Sequence, residues 1–72
     1  MKVSANIEQK GAWNKIVIYA NYPQEDGSTY KSEIMMISKC FDGTKEANEM
    51  MKTKEFKSLL KNAEMMEKLI NG

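Results

Sequence analysis

The first ten residues alternate between apolar and polar side chains. The apolar set is Val3, Ala5 and Ile7, and the polar set is Lys2, Ser4, Asn6 and Glu8. A period of two is typical of a strand with one face on a core and the other in water, and here it predicts an edge strand. Residues 9–12 then predict a turn, in which Gly11 is free to take a positive φ.

The second run, residues 13–22, is apolar on both faces. One face carries Ile16, Ile18, Ala20 and Tyr22, and the other carries Trp13, Val17 and Tyr19. A strand of this kind is usually central in its sheet or covered on both sides. A turn follows over residues 23–27, because Pro23 cannot pair further and Asp26-Gly27 favours a reversal.

The third run, Ser28 to Phe41, also reads as a strand with apolar residues on both faces. Ile34 and Met36 fall on one side, with Met35 and Ile37 on the other. Short connections favour neighbouring antiparallel strands, so the expected order is first-second-third. The strand is expected to end at Phe41, with Cys40 beside it as a small buried side chain.

The remainder of the chain predicts helix, since residues 45–70 contain no proline or glycine. Thr44 is the candidate N-cap. Two apolar stripes lie on nearly opposite sides of an ideal helix: Ala47, Met50 and Met51, then Phe56, Leu59, Leu60, Ala63, Met66 and Ile70. Either the helix breaks near Lys52-Thr53, with Thr53 capping a second helix, or it is continuous and one stripe serves a partner. The break is favoured.

These elements predict one α+β domain over residues 1–72. A three-stranded antiparallel sheet (1–43) is followed by a helical half (44–72), with one long or two shorter helices packed on one face. With 42% hydrophobic and 29% charged residues and a net charge of +1, the chain has the composition of a folded protein. No apolar run approaches the ~20 residues of a membrane span, and the expected location is the cytoplasm.

The composition argues against catalysis. The chain has no histidine, which removes the usual neutral-pH general base and the imidazole metal ligand. A single cysteine, Cys40, cannot form an internal disulfide or a thiolate zinc site. We therefore expect no enzyme, no cofactor and no metal. All eleven basic residues are lysines, and the lack of arginine counts against specific base recognition.

Three sets of residues are candidates for binding. The first is a basic helix face, Lys54, Lys57 and Lys61, which suits either a phosphate backbone or water. The second is aromatic: Trp13, Tyr19, Tyr22 and Tyr30, exposed on the sheet or placed in the core. The third is methionine, in the adjacent pairs Met35-Met36, Met50-Met51 and Met65-Met66, which cannot all be buried together.

One stretch resembles a known family. Its residues are Lys10-Gly11-Ala12-Trp13, Ile16-Val17-Ile18-Tyr19, Asp26-Gly27, Phe41 and Gly43-Thr44-Lys45-Glu46-Ala47. Over residues 10–51 this order is similar to the arm-binding N-terminal domain of phage tyrosine recombinases (integrases). That resemblance implies a sheet that enters the DNA major groove and a helix behind it. The strand, phenylalanine, cap and helix order is also similar to small phage-encoded inhibitors such as anti-CRISPR proteins.

Two functions follow as expectations. The favoured one is a non-catalytic module that binds a host or phage protein, as a phage or mobile-element inhibitor does; a homodimer is compatible with the same surface. Its candidate contacts are Trp13, Lys15, Val17, Tyr19, Lys31, Met35, Ile37 and Lys39. The alternative is a duplex-DNA-binding sheet that uses Lys15, Tyr19, Lys31, Glu33 and Lys39. The low net charge favours protein, because counterion release usually dominates DNA affinity.

Overall fold

The first two strands form a hairpin closed by a two-residue turn. Lys10 and Trp13 face each other across Gly11 and Ala12, and Gly11 has φ +66°. A positive φ at the first turn residue and a negative φ at the second define a type II′ turn. Glycine is favoured at its first position, and its twist matches that of the two strands. The computed structural model describes residues 2–71, with the side chains of residues 2–70. Its elements are β1 (Lys2–Lys10), β2 (Trp13–Pro23), β3 (Thr29–Met36), α1 (Lys45–Met51) and α2 (Lys54–Asn71).

The strands form one antiparallel sheet in the order β1-β2-β3, followed by two helices. This confirms the predicted α+β class, strand order and central position of the Trp13 strand. The β2–β3 connection is closed by hydrogen bonds between Gln24 and Ser28, and Gly27 has φ +88°. The Asp26 carboxylate accepts bonds from the Ser28 backbone and hydroxyl, which lowers its pKa.

The third strand departs from the prediction in length and in phase. It ends at Met36 instead of Phe41, and Phe41 returns to the sheet only as an isolated bridge to Asn14. A bulge shifts the register: Ile18 faces Met35, whereas Tyr19 faces Glu33. Ile34 is therefore the extra residue. Because a bulge places two residues opposite one, the strict alternation predicted for this run is wrong beyond Glu33.

The helical half breaks where the two stripes predicted it. α1 ends at Met51 and α2 begins at Lys54. The Thr53 hydroxyl accepts a hydrogen bond from the Phe56 backbone N–H at 3.2 Å, so Thr53 caps the second helix as predicted. Thr44 is the N-cap of α1 as predicted, although its side chain makes no cap hydrogen bond. Its carbonyl accepts the Asn48 N–H instead.

The core lies between the sheet and the two helices. Its buried members are Ile16, Ile18, Phe41, Ala47 and Phe56. Half-buried side chains pack around them: Val3, Ala5, Ile7, Ile34, Ile37, Met50, Met51, Leu59 and Leu60. Both helical stripes thus reach one core, which a break in the helix permits. Each fully buried aliphatic or phenyl side chain stabilises the fold by about 1.5–3 kcal/mol relative to exposure.

Two expectations about burial are wrong. Met66 and Ile70, which belong to the stripe assigned to the core, are 56% and 69% exposed. Cys40 is exposed and not buried. It was expected to be buried at the end of the third strand, but that strand ends at Met36, and Cys40 lies in the irregular segment that follows.

Candidate protein-binding surface

The sheet face opposite the helices was the expected contact surface, and most of it is polar. We call it the outer face; on β2 it carries Trp13, Lys15, Val17, Tyr19 and Asn21. Val17 is completely buried, so its side chain cannot contact a partner on this face. It lies between Asn6 on β1 and Met36 on β3, with longer side chains around it.

Trp13 and Met36 are the large apolar side chains that the outer face exposes, at 45% and 44%. Met36 faces Val17, four residues along β2 from Trp13. At ~3.4 Å per residue this separation exceeds ten Å, and Lys15 lies between Trp13 and Val17 on this face. Single exposed apolar residues are ordinary on a protein surface. The two therefore do not make a continuous apolar patch.

Tyr19 is held in a polar network on the outer face. Its hydroxyl donates a hydrogen bond to the Glu8 carboxylate, and the Lys31 ammonium lies 5.7 Å from its ring centroid. The bond to Glu8, followed by burial and the charges of Glu8 and Glu33, raises the pKa of Tyr19 to about 12. Tyr19 is therefore a neutral donor at physiological pH, and its polar group is already engaged.

The three sheet lysines do not form a basic strip. Lys15 donates to the Ser38 carbonyl. Lys39 pairs with Glu46 and lies 5.4 Å from the Phe41 ring centroid, on the helix side. Of the three, only Lys31 lies over the Tyr19 ring, and it is two residues before Glu33 in the chain.

The bulge at Ile34 moves two of the expected contacts to the other side of the sheet. Ile34 and Met35 both line a cavity against α2. Ile37 packs on the core, and its N–H donates to the Ile16 carbonyl at 2.9 Å. Met35 and Ile37 thus belong to the helix side and not to the outer face. No glycine or proline marks this bulge, so alternation alone could not reveal it.

An apolar trough runs between α2 and the β3 side of the sheet. One end, about 190 Å³, is lined by Ile37, Met50, Thr53, Glu55, Phe56 and Leu59. The other, about 300 Å³, is lined by Ile34, Met35, Leu59, Asn62, Ala63, Met66 and Glu67. Leu59 belongs to both ends. The trough exists because α2 packs mainly on β1, less on β2, and leaves the helix side of β3 partly open.

A hydrogen bond fixes where α2 passes the end of the sheet. The Tyr22 hydroxyl donates to Glu67 at 2.9 Å, and Tyr22 stacks on Tyr30 with ring centroids 6.3 Å apart. Tyr22 is the penultimate residue of β2, which ends at Pro23. The helix residues beyond Glu67 therefore extend past the strand ends.

The last two turns of α2 expose apolar side chains. We call this region the apolar end; it consists of Met65, Met66, Leu69 and Ile70. Leu69 is 81% exposed, and the other three are more than half exposed. Met66 also lines the trough, so the apolar end and the trough join into one surface.

The basic helix face lies in the first half of α2. Lys54, Lys57 and Lys61 are exposed on α2, and among the described residues none of them is in an ion pair. One turn later Lys68 pairs with Glu64 at 3.4 Å. The face thus carries three unpaired positive charges and ends before Glu64, the next acidic residue of the helix.

Within residues 2–70 no group of three potential metal-ligating side chains is close enough to hold an ion. Among the described helices, none is both long and apolar enough to cross a membrane. No protein-family model matches the chain, and neither curated proteins nor solved structures show a significant similarity to it.

Proposed function

We propose that the chain is a small non-catalytic module that binds another protein through the apolar end of α2 and the adjoining trough. The observation that carries this proposal is the exposure of Met65, Met66, Leu69 and Ile70 beside an open apolar cavity. Burying such side chains is the main favourable term in most protein association. Flexible methionines also adapt to a partner's shape.

The trough suits a partner that inserts apolar side chains. Its wider end, at about 300 Å³, is at the lower limit of ligand-pocket sizes and can accept a pair of aliphatic or aromatic side chains. Glu67 lies in its wall and accepts a bond from Tyr22. A hydrogen-bond donor or cation next to the inserted group would suit this carboxylate.

The absence of histidine and the single exposed cysteine support a role without catalysis. The partner's identity as a host protein antagonised by a phage or mobile element remains a prediction from the sequence resemblance.

The test is a comparative pull-down from the lysate of the source cells. The wild type and Leu69→Asp are immobilised, with Lys54→Glu as a control at the other end of α2, and retained proteins are quantified. We expect at least one protein that the wild type and control retain and Leu69→Asp loses. Identical retention by all three chains would contradict the proposal. Circular dichroism checks that each variant is folded.

Duplex DNA is the second candidate, supported by the free charge on Lys54, Lys57 and Lys61. DNA would then contact the basic helix face and not the sheet that the resemblance implied. On the outer face Lys15 and Lys31 are mixed with acidic residues, whereas Lys54, Lys57 and Lys61 form no ion pair within the described residues. Fluorescence anisotropy with a labelled random-sequence duplex at about 50 and 200 mM salt tests it. Binding that falls steeply with salt and is lost in Lys57→Glu would favour DNA over protein. No binding at either concentration would set DNA aside.

A further inference from the structure

The two edges of the sheet differ in how they are protected. β3 carries a bulge at Ile34 and the charged residues Lys31 and Glu33, and the chain leaves the sheet after Met36. Bulges and charges of this kind are common devices that prevent another strand from pairing. β1 is nine residues long and pairs with β2 without a register shift. Its edge therefore lacks the bulge that protects β3, although it also carries charged residues, Lys2, Glu8 and Lys10.

The turn geometry shows which backbone groups of β1 are free. Residues that flank a two-residue turn, here Lys10 and Trp13, form a hydrogen-bonded pair, and such pairs alternate along an antiparallel ladder. The residues of β1 that bond to β2 are therefore Lys2, Ser4, Asn6, Glu8 and Lys10. Those that direct N–H and C=O away from β2 are Val3, Ala5, Ile7 and Gln9.

The other side of β2 agrees with this assignment. Asn14 exchanges hydrogen bonds of 2.9 and 3.0 Å with Phe41, and the Ile16 carbonyl accepts the Ile37 N–H. The even-numbered residues of β2 thus point away from β1, and the odd-numbered ones point towards it. Among the described residues, no side chain or loop bonds to the outward groups of β1.

We infer that β1 pairs antiparallel with β1 of a second copy of this chain, in a register centred on Ala5. This register places Val3 opposite Ile7 of the copy and Ala5 opposite Ala5. All are residues with outward backbone groups, so each facing pair can exchange two hydrogen bonds. The two sheets then join into one of six strands.

Charge selects this register among the neighbouring ones. With Ala5 at the centre, Lys2 of each copy lies opposite Glu8 of the other, and opposite charges in directly facing positions stabilise a sheet. A slip by one step, centred on Asn6, would put Lys2 opposite Lys10, and the opposite slip, centred on Ser4, would put Lys2 opposite Asn6 and lose the ion pairs. Glu8 is already positioned, because it accepts the Tyr19 hydroxyl and lies 3.6 Å from Lys10.

The apolar side of β1 also favours a second copy of the chain as the partner. Val3, Ala5 and Ile7 pack on the core but are only half-buried, since they are at the margin of the sheet. A second β1 would bring its own Val3 and Ile7 alongside them. The self-complementary order of apolar and charged residues argues for a second copy over an unrelated strand.

Sedimentation velocity over a series of protein concentrations tests the inference. The series extends to about 1 mM so that a weak dimer is also detected. We expect the mass to rise from one to two copies of the 8.3 kDa chain. Ala5→Pro should remain monomeric, because the ring removes an outward N–H and leaves the bonds to β2 intact. Lys31→Pro, at an outward position of the β3 edge, is the matched control and should still dimerise.

A charge exchange tests the register. Lys2→Glu alone faces Glu8, and Glu8→Lys alone faces Lys2, so each variant should be monomeric where the wild type dimerises. An equimolar mixture restores both attractive pairs and should form the heterodimer. A wild type that stays at 8.3 kDa throughout would overturn the inference. So would a dimer that survives Ala5→Pro, or one that Leu69→Asp abolishes, which would place the contact on α2.

Discussion

Phe56 and Met66 provide a direct test of how the helical stripe is used. The sequence pattern assigns both to the core. In the structure Phe56 is 4% exposed, whereas Met66 is 56% exposed at the edge of the trough. The same substitution, to alanine, should therefore have very different effects on the free energy of unfolding at the two positions.

The expected magnitudes follow from these burials. Phe56→Ala leaves a cavity in the core and should cost about 3–5 kcal/mol, the range for a fully buried phenylalanine. Met66→Ala removes a side chain that is mostly in water and should cost less than about 1 kcal/mol. At ~0.05–0.15 kcal/mol per residue, the whole chain is stable by about 4–11 kcal/mol. Phe56→Ala can thus remove most of the stability.

Phe56→Leu is a milder variant that should remain folded and still report on the burial of Phe56. It should cost about 1 kcal/mol and lower the Tm by about 4–8 °C. Urea unfolding followed by circular dichroism gives the free energies, with an unchanged slope as the check for two-state behaviour. The reasoning is refuted if Phe56→Leu and Phe56→Ala lie within about 0.5 kcal/mol of the wild type. It is also refuted if Met66→Ala costs as much as Phe56→Ala.

Four further outcomes are expected. Thr53→Ala should lower the free energy of unfolding in urea by about 1 kcal/mol, since the Phe56 N–H loses its cap, and Thr53→Ser should not. Glu8→Ala should return the pKa of Tyr19 from about 12 towards its ordinary 10, measured by phenolate absorbance. In the wild type the contribution of the Tyr19–Glu8 hydrogen bond to stability is fully present below pH about 10, and it is lost as the pH rises through about 12. Gly11→Ala should cost roughly 1–2 kcal/mol, because φ is +66° there.

The sheet and the helix break were predictable because each rests on a local signal. Alternation around Ala5 specifies which face of β1 is buried, and a slip of β1 against β2 by one residue would expose the whole set. Gly11 marks the turn between these strands. The break at Thr53 follows from two stripes that one straight helix cannot press on the same core. In each case the sequence pattern and the packing point to the same answer.

The candidate surface was not predictable, because it depends on where elements end. The bulge at Ile34 has no special residue to announce it, yet it moves Met35 from the outer face to the helix side. Likewise, periodicity shows which side of α2 faces the sheet but not how far the sheet extends beneath it. The Tyr22–Glu67 contact reveals that limit, and Leu69 lies beyond it.

The two proposed surfaces are compatible because they lie in different parts of the fold. The apolar end of α2 is near the start of β1, since Glu67 contacts Tyr22 and Lys2 pairs with Asn21. In a dimer centred on Ala5 the two Lys2 positions are six residues apart along the antiparallel strands, or about 20 Å. The apolar ends then lie at opposite ends of the six-stranded sheet and cannot cover each other. Dimerisation through β1 would leave both free, so one dimer would present two separate sites, and a partner with two matching sites would gain from avidity.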